Sequence, residues 1–441
     1  MAHLISDFGA IGDGTSSCTT AIQKAIDAAA ARGGGTVIVP AGNYVTGTIW
    51  MRSNINLHLE PGATLLGAQD VAAFPIWAPA WEGVKSHAPL IGGENLDNVS
   101  ITGRGTIDGR GQMWWELMRK LDLFRPRLIR LVDCRNVLVE GVTLTNSPSW
   151  TLNPLACDTV TIRGVIVTNP PDSPNTDGIN PDSCRNVHIS DCHIDVGDDC
   201  VTIKSGSEED GRRQHRACEN ITISNCTMMH GHGGVVIGSE MSGGVRNIVI
   251  SNCTFIGTDR GIRIKARRGR GGAVEDLRAS NIIMDNVLCP LVINLFYGCG
   301  AWKDAKVTDQ SPQPVTERTP RFRRLRFSNI SARRVKYSAA YVVGLPEMFV
   351  QDIAYSDVTV YLDPDNTAAG QSAMAPGQPD LCRAGFVLRN VDGVRLHNVQ
   401  VVDQLGPAVS VTNGRRVALE HVSSPTLAEG APLTSLTNVS E

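Results

Sequence analysis

The chain has 441 residues, of which 42% are hydrophobic and 19% charged, so it can bury a substantial core and is not disordered in bulk. Lys and Arg number 41 against 44 Asp and Glu, a net charge of −3, which gives no support to nucleic-acid binding and makes any anion recognition local. No run approaches the ~18 consecutive apolar residues of a membrane-spanning helix, so no membrane role is expected.

The first residues, MAHLISDFGAIGDG, show no basic segment followed by an apolar one, so a signal peptide is not visible and a cytoplasmic location is expected, or secretion if a leader has been trimmed. Next comes CTTAIQKAIDAAAARGGG, residues 18–35, whose spacing predicts an amphipathic helix. Ile22, Ala25, Ile26 and Ala29 form its apolar face and the glycine run stops it. Such a helix is well placed to cap the first coil of a solenoid.

A strand phrase then recurs. Weak copies begin at Asn54 (NINLHLEPG) and Asn98 (NVSITGRGT), and clearer ones at Asn136 (NVLVEGVTL), Asp158, Asn186 (NVHISDCHI), Asn220 and Asn247 (NIVISNCTF). Others follow at Asp276, Arg324, Asp352 and Gly393. Each is a short alternating run ending in Asn, Asp or Gly, which reads as strand then turn. Repeats of this kind predict solenoid coils that bury their apolar faces against one another. The segments 301–320 and 363–380 are rich in Pro, Gly and polar residues and read as loops inserted between coils. No linker stands out, so residues 1–441 are expected to form one domain.

Twelve cysteines first suggest disulfides, but their register argues otherwise. Cys134, Cys157, Cys184 and Cys218 each precede the first apolar residue of a copy by three positions, and Cys192, Cys226 and Cys253 each follow it by five. Cysteines at one register stack as small core residues, and many thiols fit a reducing compartment.

The same register arithmetic gathers chemistry. Asp198 lies eleven residues after Val187 and His232 eleven after Ile221, so the two share a register on successive coils. Asp177 is expected one coil earlier, Arg263 and Lys265 one coil later, and Tyr297 on the coil after that. Clustered carboxylates raise one another's pKa, which lets one act as a general acid while others act as bases. Glycoside hydrolysis needs such a split. Arg263 and Lys265, two apart on a strand, face one side and suit an anionic sugar. Taken singly, an adjacent Asp pair is more often a solvated turn, and strict alternation sends Asp198 and Asp199 to opposite faces unless the chain bends at Gly197.

Four motifs stand in order over about ninety residues: Asn175-Thr176-Asp177, Gly197-Asp198-Asp199, Gly231-His232-Gly233 and Arg263-Ile264-Lys265. With these the sequence resembles glycoside hydrolase family 28, the polygalacturonases. The broader resemblance runs from SDFGAIGDG through GRGTIDGRGQMWW and NSPSWTLNP to VINLFYGCG, then fades beyond Gly300. It implies a right-handed parallel β-helix and hydrolysis of α-1,4-galacturonosidic bonds with inversion. Asp198 is then the general acid, Asp177 and Asp199 hold and deprotonate the water, and His232 supports the acid. Asn175, Arg263, Lys265 and Tyr297 bind the sugar of a galacturonide substrate. No metal or organic cofactor is implied.

Two basic insertions, SGSEEDGRRQHRACEN (205–220) and ARRGRGG (266–272), invite an exo reading in which Arg267, Arg268 and Arg270 clamp further carboxylates and the loops close one end of the groove. Hydrolysis of rhamnogalacturonan or substituted pectin, calcium-dependent pectate lysis and non-catalytic polysaccharide binding are the rival readings.

Overall fold

The computed structural model describes residues 2–440. It divides into two compact units, Met1–Val201 and Thr202–Glu441.

In the first unit every coil contributes up to three short strands, each parallel to its counterpart on the next coil. One stack holds Gly35–Val39, Ile55–Leu59, Asp97–Gly103, Arg135–Glu140, Asp158–Arg163 and Arg185–Ser190. Its register lines up Val37, Leu57, Ile101, Val139, Ile162 and Ile189 in one buried row. A second stack aligns Tyr44, Leu65, Ile107, Leu144, Val167 and Ile194. A third aligns Ile49, Ile91, Ile129 and Leu152 and continues through single bridges to Ile179 and Val201. Each inward side chain contributes roughly 1.5–3 kcal/mol by leaving water. A one-residue slip would turn the whole row outward, and this is what holds the register.

The repeat phrase has a backbone cause. Asn54, Asn98, Asn136, Asn186, Asn220 and Asn247 all adopt the left-handed conformation, φ between 52° and 62°, which Asn tolerates better than most residues. Their amides then stack. Asn98 donates to Asn54 at 2.8 Å and Asn136 to Asn98 at 2.7 Å. In the second unit Asn247 donates to Asn220 at 3.1 Å.

The predicted helix forms over Thr19–Ala30, with Ile22, Ala25, Ile26 and Ala29 all fully buried. It ends short of residue 35 because Gly33, Gly34 and Gly35 all take positive φ and Gly35 already opens a strand.

In the second unit the strands lengthen. Val245–Ile256, Ala273–Asp285, Arg321–Val335 and Val350–Leu362 each run through what were two separate strands before, aligning Ile248, Leu277, Leu325 and Ile353. A further stack holds Val235–Ile237, Arg260–Lys265, Cys289–Asn294 and Ser338–Val343. The 301–320 insertion carries one helical turn, Ala305–Thr308, while 363–380 contains neither helix nor extended strand. Among the described residues no disulfide joins any of the twelve cysteines, and ten of them are buried. Cys157 and Cys184 donate to the carbonyls of Leu131 and Pro154 on the preceding coil, at 3.3 and 3.2 Å. Among the described residues no helix is long and apolar enough to cross a membrane.

Candidate active site

The first unit carries the carboxylates. The strand that opens at Val201 does not include residues 197–200, where the chain bends. That bend cancels the alternation that would part Asp198 from Asp199. It requires glycine at 197, because a Cβ there would lie 2.6 Å from the Pro170 carbonyl oxygen and 2.7 Å from that of Ser173. Asp177 sits before the bridge residue Ile179, Asp199 before its partner Val201, and Gly178 N–H donates to the Asp199 carbonyl at 3.0 Å. Asp199, not Asp198, is therefore the residue that faces Asp177 across neighbouring coils. All three carboxylates converge, each offering an oxygen within 4.8 Å of the others.

Their environments differ. Asp177 and Asp199 are buried, whereas Asp198 is half-buried. Asp177 Oδ2 accepts from Asn180 Nδ2 at 2.8 Å, and Asp198 Oδ1 accepts from the Asp199 N–H at 2.9 Å. At 4.8 Å two negative charges repel by about 3.5 kcal/mol at an effective dielectric of about 20, which favours keeping a proton in the cluster. The same oxygens have the hardness to ligate a divalent cation. Asn175 is exposed with φ of 55°, and its Oδ1 accepts from Arg125 Nη2 at 2.8 Å. Arg125 Nη1 also donates to the carbonyls of Pro148 and Pro174, at 2.7 and 2.9 Å, so it ties three segments together behind Asn175.

The second unit carries the cations. Arg263 and Lys265 do face one side, and both point at Tyr297, whose ring centre lies 5.3 Å from the guanidinium and 5.0 Å from the ammonium. Arg263 is 1% exposed and Lys265 5%. The 363–380 loop covers the arginine, with Met374 Sδ 3.1 Å from Nη2. Asn294 and Arg260 hold that loop through the carbonyls of Ala373, Gln371 and Ser372. His232 is exposed, and its Nδ1 lies 2.9 Å from Asp259 Oδ2. Asp259 also accepts from Arg260 at 3.1 Å. This aspartate is absent from the sequence reading, since nothing in Thr258-Asp259-Arg260 separates it from a turn residue.

The three arginines expected to clamp substrate, Arg267, Arg268 and Arg270, are otherwise committed. Arg268 forms a fork on Glu347, with Nε and Nη2 at 2.6 and 2.9 Å. Its other N–H groups reach the carbonyls of Lys306, Asp309 and Ser311. Arg270 is buried against Ser207, Ser239 and Glu240. Arg267 bonds the Cys299 carbonyl and pairs with Glu208 at 3.4 Å. Arg212 ties the helix Glu208–Gln214 to the carbonyls of Gly269 and Arg270. These side chains are struts that fix the two insertions to each other and to the 301–320 loop.

Residues 33–316 match the profile of Glycosyl hydrolases family 28. The chain belongs to this family. A probable polygalacturonase of Vitis vinifera is 35% identical over 377 residues, covering 82% of this chain and 75% of the relative. A hyperthermoactive exopolygalacturonase from Thermotoga maritima superposes with a TM-score of 0.75 at 30% identity, covering 91% of each chain. The endo-polygalacturonase of Pectobacterium carotovorum is 33% identical over 304 residues, 64% of this chain and 73% of the relative. The fold is thus the right-handed parallel β-helix of the family 28 polygalacturonases, and the protein is a glycoside hydrolase.

Proposed function

We propose that this family 28 enzyme hydrolyses α-1,4-galacturonosidic bonds by single displacement. The observation that carries the reading is the convergence of Asp177, Asp198 and Asp199 within 4.8 Å in a chain of this family. Asp198, the most accessible of the three, gives its proton to the leaving O4 as the C1–O bond breaks. Asp177 and Asp199, buried side by side, hold the water whose oxygen bonds to C1 and take up its proton. His232, oriented by Asp259, supports the acid. Asn175 offers its amide to the sugar, while Arg263, Lys265 and Tyr297 receive a uronate. Twelve cysteines without a disulfide support a reducing compartment.

Inversion at C1 rests on family kinship, because carboxylate oxygens within 4.8 Å of one another are closer than the roughly 6.5–9.5 Å usual for inverting pairs. Proton NMR of the first-formed product decides it: a β anomer supports single displacement and an α anomer defeats it. Exo action is supported by the ordered insertions and by the likeness to an exopolygalacturonase. A ladder of intermediate lengths from the first minutes of polygalacturonate digestion would refute it. The central test is reducing-end release from polygalacturonate, with rhamnogalacturonan in parallel. Asp198→Asn should lower it by about 10²–10⁴-fold, and an undiminished rate would end the assignment.

A further inference from the structure

Within the first unit, the third strand stack places four residues in one row. Arg127, Trp150, Asp177 and Asp199 each stand two positions before the paired residues Ile129, Leu152, Ile179 and Val201. The backbone confirms the register, since Leu128 N–H donates to the Trp150 carbonyl and Thr151 N–H to that of Asp177. Rungs of a parallel sheet are ~4.8 Å apart, which puts Arg127 two rungs, ~10 Å, before Asp177.

Arg127 is unusual among the arginines around it. Arg125 is committed to Asn175 and two carbonyls, and Arg130 pairs with Glu82 and lies over Trp77 at 5.9 Å. The Arg127 guanidinium lies over the Trp150 ring at 4.9 Å, yet no group among the described residues accepts a hydrogen bond from it, and its Nε is buried without an acceptor. Burial, then the adjacent Arg130 charge, push the Arg127 guanidinium down to about 9, and an added anion would offset both. Glu82 and Asp177 attract the Arg127 guanidinium, but burial and the repulsion of Arg130 and Arg125 outweigh them. A guanidinium stacked on an aromatic face keeps its in-plane N–H fork for a bidentate acceptor, which a carboxylate matches.

We propose that Arg127, seated on Trp150, binds the carboxylate of the galacturonate unit that lies on the Trp150 side of Asp177, and so makes the enzyme discriminate charged from neutral sugars there. The pyranose rests along the Trp150 rung, its carboxylate on Arg127 and its glycosidic bond toward Asp177 and Asp199. This rests on the galacturonide reading above.

The test uses the intact enzyme with trigalacturonate as substrate, and galacturonate and its uncharged methyl ester as competitive inhibitors. Arg127→Gln should raise KM for trigalacturonate by about 10- to 100-fold, the worth of one charge-assisted hydrogen-bonded contact, while kcat changes far less. It should lower the preference for galacturonate over the ester by a similar factor. Arg127→Lys, which keeps the charge and loses the fork, should fall between. An unchanged preference, or equal weakening of both inhibitors in both variants, would make Arg127 part of the scaffold and overturn the proposal. Trigalacturonate left intact by the unmodified enzyme would instead remove the galacturonide reading itself.

Discussion

Arg268 offers the sharpest contrast between strut and substrate clamp. Its side chain is 9% exposed and that of Glu347 5%, and all five of its N–H groups have acceptors: two on Glu347 and three on the carbonyls of Lys306, Asp309 and Ser311. Glu347→Gln keeps the shape and removes the counter-charge, which leaves a buried cation and costs about 3–5 kcal/mol. The loss falls on the segment the guanidinium holds, where Thr308 and Asp309 N–H groups bond the carbonyls of Asp304 and Ala305. Native-state hydrogen exchange should therefore show their protection falling by about a hundred- to several-thousand-fold, with strands such as Ala273–Asp285 unaffected. KM for oligogalacturonates should rise only as far as the loop loosens, and Arg268→Met combined with Glu347→Met should recover much of the protection. If Glu347→Gln leaves exchange unchanged while Arg268→Met raises KM selectively for longer oligomers, the strut reading is wrong and the clamp reading stands.

Other outcomes follow from the same geometry. His232→Asn and Asp259→Asn should each lower kcat/KM, and the double variant should lose little more than either, because the 2.9 Å contact makes them one unit; additive losses would separate them. Chelation with EDTA should leave the rate unchanged and yield no ultraviolet-absorbing product, whereas calcium-dependent lysis demands the reverse. Burial opposes ionisation of Glu240, but Lys204 at 3.0 Å and Arg270 at 3.4 Å outweigh it and hold the carboxyl well below the usual range. A depressed carboxyl adds stability above its unfolded value of ~4.3 and loses it as pH falls further. Glu240→Gln should therefore lower the melting temperature at pH 7, with the gap to the parent protein narrowing below about pH 4; a gap that widens in acid would contradict the assignment.

The periodic part of this molecule was legible in its sequence. Asn-hydrophobic phrases, the cysteine register and the alternation of Ile101, Val139 and Ile162 all express one constraint, a residue that must face inward on every coil. The four motifs were legible too, and the convergence of Asp177, Asp198 and Asp199 followed from coil spacing plus a bend at Gly197. What escaped were contacts made by segments without a period. Met374 reaches Arg263 from 111 residues away, Glu347 reaches Arg268 from 79, and Asp259 meets His232 through a turn. Basic runs such as ARRGRGG were also ambiguous, because a guanidinium that binds carbonyls and one that binds substrate leave the same letters in the chain.

The asparagine ladder has a consequence for diversification. Stacked amides join partners 38 to 44 positions apart in the first unit, and 27 in the second, with no loss of alignment. Extra length is therefore extruded at the edge of a coil, and an excursion can be shortened, lengthened or exchanged while the inner rows keep their places. Grafting excursions between relatives would retune which sugars are admitted without rebuilding the scaffold that presents the acids.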